Sequence, residues 1–219
     1  MINILEDYIW RSVPDEDFQT NPNLENKVDR EGNILPYKGN TVVFLLDEDT
    51  KQALRNIQEE LYQAVPHMLA EMLGEDTFHM TLHSLADGNP EEEWLENWMA
   101  ETAWKAGEIL ASWQDDRPLR MKTTWTFNMV HTSIVLGLMP ADEDSWSRLD
   151  EIYCRLQEAR PLGDLCPHIT MAYFRPGVYS REDVARLREV LRPVEMEITL
   201  QRKHLVIQNF TDMNHYETV

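Results

Sequence analysis

Cysteine is scarce in this chain, with two residues, Cys154 and Cys166, among 219. That excludes a disulfide-built secreted scaffold, and two free thiols in a reducing, cytoplasmic setting are expected. Basic residues are also few: 20 Lys and Arg stand against 39 Asp and Glu, a net charge of −19. Such a surface repels a nucleic-acid backbone at long range, and no Lys/Arg-rich tract offsets it, so long nucleic acid is excluded as a partner. No stretch approaches the roughly 18 apolar residues of a membrane span. The opening MINILEDYIWRSVPDEDF lacks the basic region and apolar core of a secretory signal. Sustained heptads are missing too, and a monomer is expected. What remains is ordinary globular composition, 42% hydrophobic and 27% charged, with seven Trp to fill sheet–helix layers.

Residues 1–40 show no clear period and carry turn signals at Pro14, Pro22, Gly32-Asn33, Pro36 and Gly39-Asn40, and read as an ordered lead-in. Residues 41–46 (TVVFLL) form an apolar, β-branched run, a buried strand. Asp47-Glu48-Asp49 then supplies carboxylates for a helix N-terminus. Leu54, Ile57, Leu61, Val65 and Met68 follow at helical spacing, with Pro66 ending or kinking the helix. The next strand covers 77–82 or slightly more. The same order returns later: a strand at 133–139, a helix opened by Ala141-Asp142-Glu143-Asp144, and a strand at 167–174. The two strand–helix–strand units, 41–83 and 133–174, each end in His-x-Thr, at His79-Met80-Thr81 and His168-Ile169-Thr170. A motif recurring at equivalent places in a repeat points to two related lobes. Further helices are expected at 91–113 and 181–191. Strands are expected at 119–130, 194–200 and 204–210, the last two as a hairpin through Gln201-Arg202. The whole chain then forms one bilobal α+β domain, with helices outside largely antiparallel sheets.

Side chains alternate along a strand, so His79 and Thr81 share one face while Met80 and Leu82 take the other; His168 and Thr170 repeat the arrangement. Lobes facing each other would bring two imidazoles and two hydroxyls into one cleft. That set suits in-line attack on phosphorus. One neutral imidazole takes a proton, the opposite imidazolium gives one, and the threonines bind the non-bridging oxygens.

The paired motifs, His79-Met80-Thr81-Leu82 and His168-Ile169-Thr170-Met171, resemble those of the 2H phosphoesterase superfamily, which includes RNA 2′,3′-cyclic phosphodiesterases with 2′-5′ RNA ligase-like folds. Lys27-Val28-Asp29 through Gly32, then the run from Leu35 to Thr41, resembles a cyclic phosphodiesterase-like branch of it. The resemblance implies two pseudo-symmetric antiparallel-sheet lobes with outer helices around a central cleft. It also implies metal-independent hydrolysis of a small cyclic or 2′-linked nucleotide or short oligonucleotide, with no cofactor. His79 and His168 would be the acid/base pair, and Thr81 and Thr170 the phosphate ligands.

Around that core, strand alternation puts His83 on the face of His79 and Thr81, and Phe174 on the face of Thr170, while Tyr173 falls in the core. Tyr37 at the entrance to the first strand, Arg175 at the end of the last, and Arg202 in the basic spot Arg202-Lys203-His204 complete the candidate substrate contacts. Two other readings stand beside this one: a nucleotide-sequestering protein that uses the same cleft without turnover, and a hydrolase with a metal on His79, His83 and His168.

Overall fold

The computed structural model describes residues 16–219; the first part of the lead-in, residues 1–15, with most of the segment read for a secretory signal, lies outside them. Ten strands and four α-helices follow in order: β1 (Phe18–Gln19), β2 (Lys38–Leu45), α1 (Glu48–Ala64), β3 (His79–Gly88), α2 (Glu93–Ser112), β4 (Leu119–Met129), β5 (Ser133–Pro140), α3 (Glu143–Leu156), β6 (His168–Tyr173), β7 (Val178–Tyr179), α4 (Arg181–Val190), β8 (Glu197–Leu200), β9 (Leu205–Asp212) and β10 (His215–Thr218). The helices start where carboxylates and hydroxyls meet unpaired N–H groups. Asp47 and Asp142 accept from Thr50 and Ser145 N–H, and Ser180 and Asp183 form a reciprocal capping box. The apolar faces read from helical spacing are buried: Leu54 and Leu61 on α1, and Leu149, Ile152 and Leu156 on α3. Among the described residues no helix is long and apolar enough to cross a membrane.

Eight strands run β10-β9-β2-β3-β6-β5-β4-β8, all antiparallel, while β1 and β7 pair separately. The sheet has a weak seam. β2 pairs with β3 over eight partners, but β3 meets β6 only at Met80↔Ile169. Two four-stranded lobes therefore join at one bridge, and the residues that bridge are the second ones of the two His-x-Thr motifs. This is the bilobal arrangement of antiparallel lobes expected from the sequence.

The expected hairpin of 194–200 and 204–210 does not form. β8 pairs with β4 at one edge, and β9 pairs with β2 near the other. In a flat sheet those positions would lie about 29 Å apart. The five residue steps from Leu200 to Leu205 span at most roughly 18 Å. The sheet must curl, and the short link holds it as a half-barrel. Arg202 is part of that link. Its guanidinium donates to the carbonyls of Trp113 (3.0 Å) and Leu110, capping the C-terminal end of α2.

Bulges decide which side chains face the cleft. On β3, partners of β2 jump from Thr81 to His83 and again from Ser84 to Ala86, so Leu82 and Leu85 are extra residues. On β6 the partners of β5 jump from Thr170 to Ala172, so Met171 is extra. An extra residue shifts side-chain alternation by one. Doubled burial marks each bulge, at 82–83, 85–86 and 171–172. The backbone groups released from the ladder find side chains. Buried Gln58 donates to Met171 O (2.9 Å), Arg160 to Leu85 O (3.2 Å), and Asn40 accepts from Ala86 N–H (3.0 Å).

Gly39 is required by close approach. A Cβ there would stand 2.5 Å from the Phe210 ring and nearer still to Ala86 O. Gly39→Ala should destabilise by about 2 kcal/mol, lowering Tm by roughly 4–8 °C. Gly107, inside α2 with open space around its Cα, should respond in the opposite sense, since alanine is favoured in a helix by up to about 1 kcal/mol. Thermal melts of the two variants check this; an unchanged midpoint for Gly39→Ala would show the ring can move aside.

Candidate active site

The seam between the lobes floors a cavity of about 220 Å³, lined by His79, Thr81, His168 and Thr170 together with Tyr37, Ser84, Asp87 and others. Continuing the Met80↔Ile169 register one step each way sets Thr81 across from His168, and His79 across from Thr170. The four side chains form a rectangle with the histidines on a diagonal, roughly 8 Å long between Cα positions in an ideal ladder. The strand pairing itself brings the two motifs together.

The imidazoles differ in support. His168 Nδ1 lies 2.7 Å from the Cys166 carbonyl. A carbonyl only accepts, so Nδ1 carries the proton and Nε2 is left with its lone pair. His79 is buried, its Nδ1 has no partner, and its ring meets Tyr216 edge-on at 4.9 Å. A buried acceptor without a donor is tolerated better than a buried N–H without an acceptor, so the His79 proton belongs on Nε2. Burial, reinforced by the neighbouring His168, pushes the pKa of His79 down to about 4. Burial also lowers His168, opposed by the Cys166 carbonyl. Both rings are therefore neutral at pH 7 in the free protein.

Hydroxyl commitments separate the threonines. Thr41 donates to His83 O (3.0 Å) and Thr77 to Gly74 O (2.7 Å). Thr81 and Thr170, both half-buried in the same cavity, have hydroxyls that make no hydrogen bond among the described residues and are left for the interior. Lys27 lines the cavity 4.8 Å from the centre of the Tyr37 ring and 5.9 Å from that of Tyr173; among the described residues it makes no ion pair within 4.0 Å, and it acts on Asp87 at longer range.

At the far end lies Asp87. Its carboxylate accepts from Tyr37 Oη and from Arg160 (2.9 Å), and Arg160 in turn lies over the Trp98 ring at 4.8 Å. Burial would raise this carboxyl, but the Tyr37 and Arg160 hydrogen bonds outweigh it and hold Asp87 below the ordinary carboxylate range.

Four of the sequence-derived contacts lie elsewhere. The Leu82 bulge turns His83 to the helix side, against the Tyr153 ring (5.5 Å) and Gln157. It therefore cannot join His79 and His168 as three metal-binding nitrogens. Among the described residues no three His, Cys, Asp or Glu side chains are grouped to hold an ion. The Met171 bulge exchanges Tyr173 and Phe174: Tyr173 lines the cavity, and Phe174 is fully buried against Phe18 and Tyr179. Arg175 packs against Gly32, and Arg202 caps α2. Tyr37 does line the cavity. Residues that the sequence reading misses are Lys27, Ser84, Asp87, Tyr173, Arg160 and Tyr216; Asp87 keeps the parity of His79 because two bulges cancel, but it lies beyond the expected strand. Lys27 stood within a motif already noted; Tyr216 belongs to a polar terminal strand with no sequence signal. Both cysteines are free thiols.

The family model 2H-phosphodiest, described as Domain of unknown function (DUF1868), matches residues 27–106. A conserved protein of unknown function from Agrobacterium tumefaciens, ATU0111, superposes with a TM-score of 0.64 at 17% identity, covering 92% of this chain and 93% of its own. TT0787 of Thermus thermophilus gives 0.51 at 16% identity, covering 83% and 94%. LigT of Escherichia coli in complex with 3′-AMP gives 0.53 at 10% identity, covering 84% and 95%. Comparison with curated proteins gave no sequence match.

Proposed function

We propose that this protein is a metal-independent phosphodiesterase that opens a small cyclic or 2′-linked nucleotide, with His79 and His168 as the acid/base pair and Thr81 and Thr170 as phosphate ligands. The observation that carries the reading is the single cavity holding both histidines and two threonines whose hydroxyls are otherwise uncommitted. LigT of Escherichia coli, which shares the fold, has been crystallised with phosphate and with 3′-AMP, and a nucleoside phosphate of that size suits this cavity.

The hydrogen-bond surroundings of the two rings support the following roles. His168 presents a bare Nε2 and takes a proton from water as it attacks phosphorus; its Nδ1–H, held by the Cys166 carbonyl, supports the imidazolium that forms. His79 presents Nε2–H to the opposite side and protonates the departing ribose oxygen. One P–O bond forms, one breaks, and a proton passes between the histidines through solvent before the next turnover. The anionic phosphate supplies the charge that keeps His79 protonated in the complex, which burial disfavours in the free protein. The Thr81 and Thr170 hydroxyls donate to the non-bridging oxygens, and Lys27 attracts the anion into an otherwise acidic protein.

The test is a substrate panel assayed with EDTA: 2′,3′-cyclic mononucleotides, ADP-ribose cyclic phosphate, 2′-5′ and 3′-5′ dinucleotides, and cyclic di- and trinucleotides. Turnover of a 2′,3′-cyclic or 2′-5′ compound, undiminished by EDTA, is expected. Loss of activity with EDTA would defeat the metal-free chemistry. A stoichiometric nucleotide complex that releases no product would mean a sequestering protein.

A further inference from the structure

We infer that Asp87 is the specificity-determining residue of a nucleobase subsite that selects bases with an amino group at C4 of a pyrimidine or C6 of a purine, cytosine and adenine, over their oxo counterparts, uracil and hypoxanthine. The inference rests on the phosphodiesterase reading for where the phosphate lies, and its own observations concern the opposite end of the cavity.

The bulges set the distance. His79, Thr81, Ser84 and Asp87 lie opposite Leu45, Val43, Thr41 and Gly39 of β2. Although they are unevenly spaced on β3, they occupy every second position of the partner strand and so share one face. Thr81 and Asp87 are four β2 residues apart, roughly 13 Å. A nucleoside with its phosphate fills such a span. Between the two ends the cavity is walled by the Tyr173, Phe210 and Tyr37 rings, with Tyr37 and Phe210 stacked at 6.3 Å. Such a wall accepts a planar heterocycle and leaves its far edge at Asp87.

The carboxylate is fixed and ionised before any ligand arrives. Tyr37 Oη donates to Oδ2, Arg160 donates to Oδ1 at 2.9 Å, and Arg160 is itself held by Ser84 Oγ, Leu85 O and the Trp98 ring. Its side chain remains 29% exposed toward the cavity it lines. An ionised carboxylate only accepts; Oδ1 already takes Arg160 and, at 3.4 Å, Ser84 Oγ, whereas Oδ2, which accepts from Tyr37, keeps capacity for a second donor. An amino N–H therefore gains a charge-assisted hydrogen bond, while a carbonyl oxygen in that place meets an anion. Discrimination of this kind is strong because the mismatched ligand leaves a polar group unpaired. Lys27 and Arg160 offset the charge of Asp87, so the phosphate is not driven out of the same cavity.

Isothermal titration of the intact protein with the non-hydrolysable pairs 3′-CMP/3′-UMP and 3′-AMP/3′-IMP tests it. The amino member of each pair is expected to bind about tenfold tighter. In Asp87→Asn, whose amide can donate to a carbonyl, the ratio should fall to about unity or invert, with the thermal midpoint reported alongside. Equal affinities within both pairs in the unmodified protein would overturn the subsite whatever the variant does; so would an unchanged ratio in Asp87→Asn, or no binding of any of the four. The hydrolysis panel judges the parent reading separately: cleavage of cyclic nucleotides with no preference between amino and oxo bases removes the subsite and leaves the phosphodiesterase standing.

Discussion

Alanine at either His79 or His168 should lower kcat/KM on the responsive substrate by about 10²–10⁴-fold, the range spanned by a positioned proton donor or acceptor. The double variant should lose little more than the worse single one, because the two groups act on one transition state. Thermal midpoints separate this from unfolding, since His79 is buried and its loss leaves a hole beside Tyr216. The pH dependence has a definite sign. The productive form carries one proton on the pair, yet burial holds both imidazoles below 6.5, His79 near 4. The kcat/KM profile reports the free protein, so its bell should centre on the acid side of 6.5 and decline tenfold per unit above the higher apparent pKa of the pair. Bound phosphate favours the protonated form, so the kcat profile should lie at higher pH. Full activity in either variant, or a kcat/KM bell centred above 6.5, would reject the pair as drawn.

The sequence made the strand–helix–strand repeat legible because β2, α1, β5 and α3 are strongly patterned elements. The apolar β-branched runs and the Asp47 and Asp142 caps leave little choice. The histidines and their threonines were legible for the same reason, since the alternation from His79 to Thr81 and from His168 to Thr170 lies before any bulge. Beyond that point alternation misleads. One extra residue at Leu82 and another at Met171, each three residues past its histidine, carry His83 and Phe174 away from the cleft and bring Ser84 and Tyr173 in. Nothing in the strings TLHSLADG or TMAYF announces a bulge, because the groups that satisfy the released backbone are remote: Gln58 reaches Met171 O from α1, Arg160 reaches Leu85 O from beyond α3, and Thr41 of β2 reaches His83 O beside Leu82. The destinations of β8 and β9 were hidden likewise. Adjacent strands with a short link resemble a hairpin, and only the curl of the whole sheet separates them. The β4–β5 turn gives no warning either, with Val130 and His131 both at positive φ where glycine or asparagine is usual.

Removing the hydroxyls of Thr81 and Thr170 should be the next most damaging change, and it is cleaner than removing the histidines. Valine matches threonine in shape and favours strands, so Thr81→Val and Thr170→Val should keep the fold close to its original stability. On the proposed reading each subtracts one donor aimed at an oxygen whose negative charge grows during attack. Loss of one such donor commonly costs about 10²–10³ in kcat. Because both hydroxyls are uncommitted in the free protein, no internal hydrogen bond breaks in the variants, and the deficit reports on the reaction. Serine restores the donor on a more mobile arm and should recover most of the rate, while alanine should not. The distribution between kcat and KM decides what the hydroxyls do. A fall in kcat at nearly constant KM means bonds that strengthen in the transition state, whereas a rise in KM alone means that the threonines hold substrate and transition state equally. The register makes a further demand: Thr81 stands across from His168 and Thr170 across from His79, so each hydroxyl serves the phosphorus from its own lobe. The two valine variants should therefore be impaired to a similar degree. A deficit confined to one of them would mean that the phosphate is bound off the pseudo-two-fold seam, nearer a single lobe.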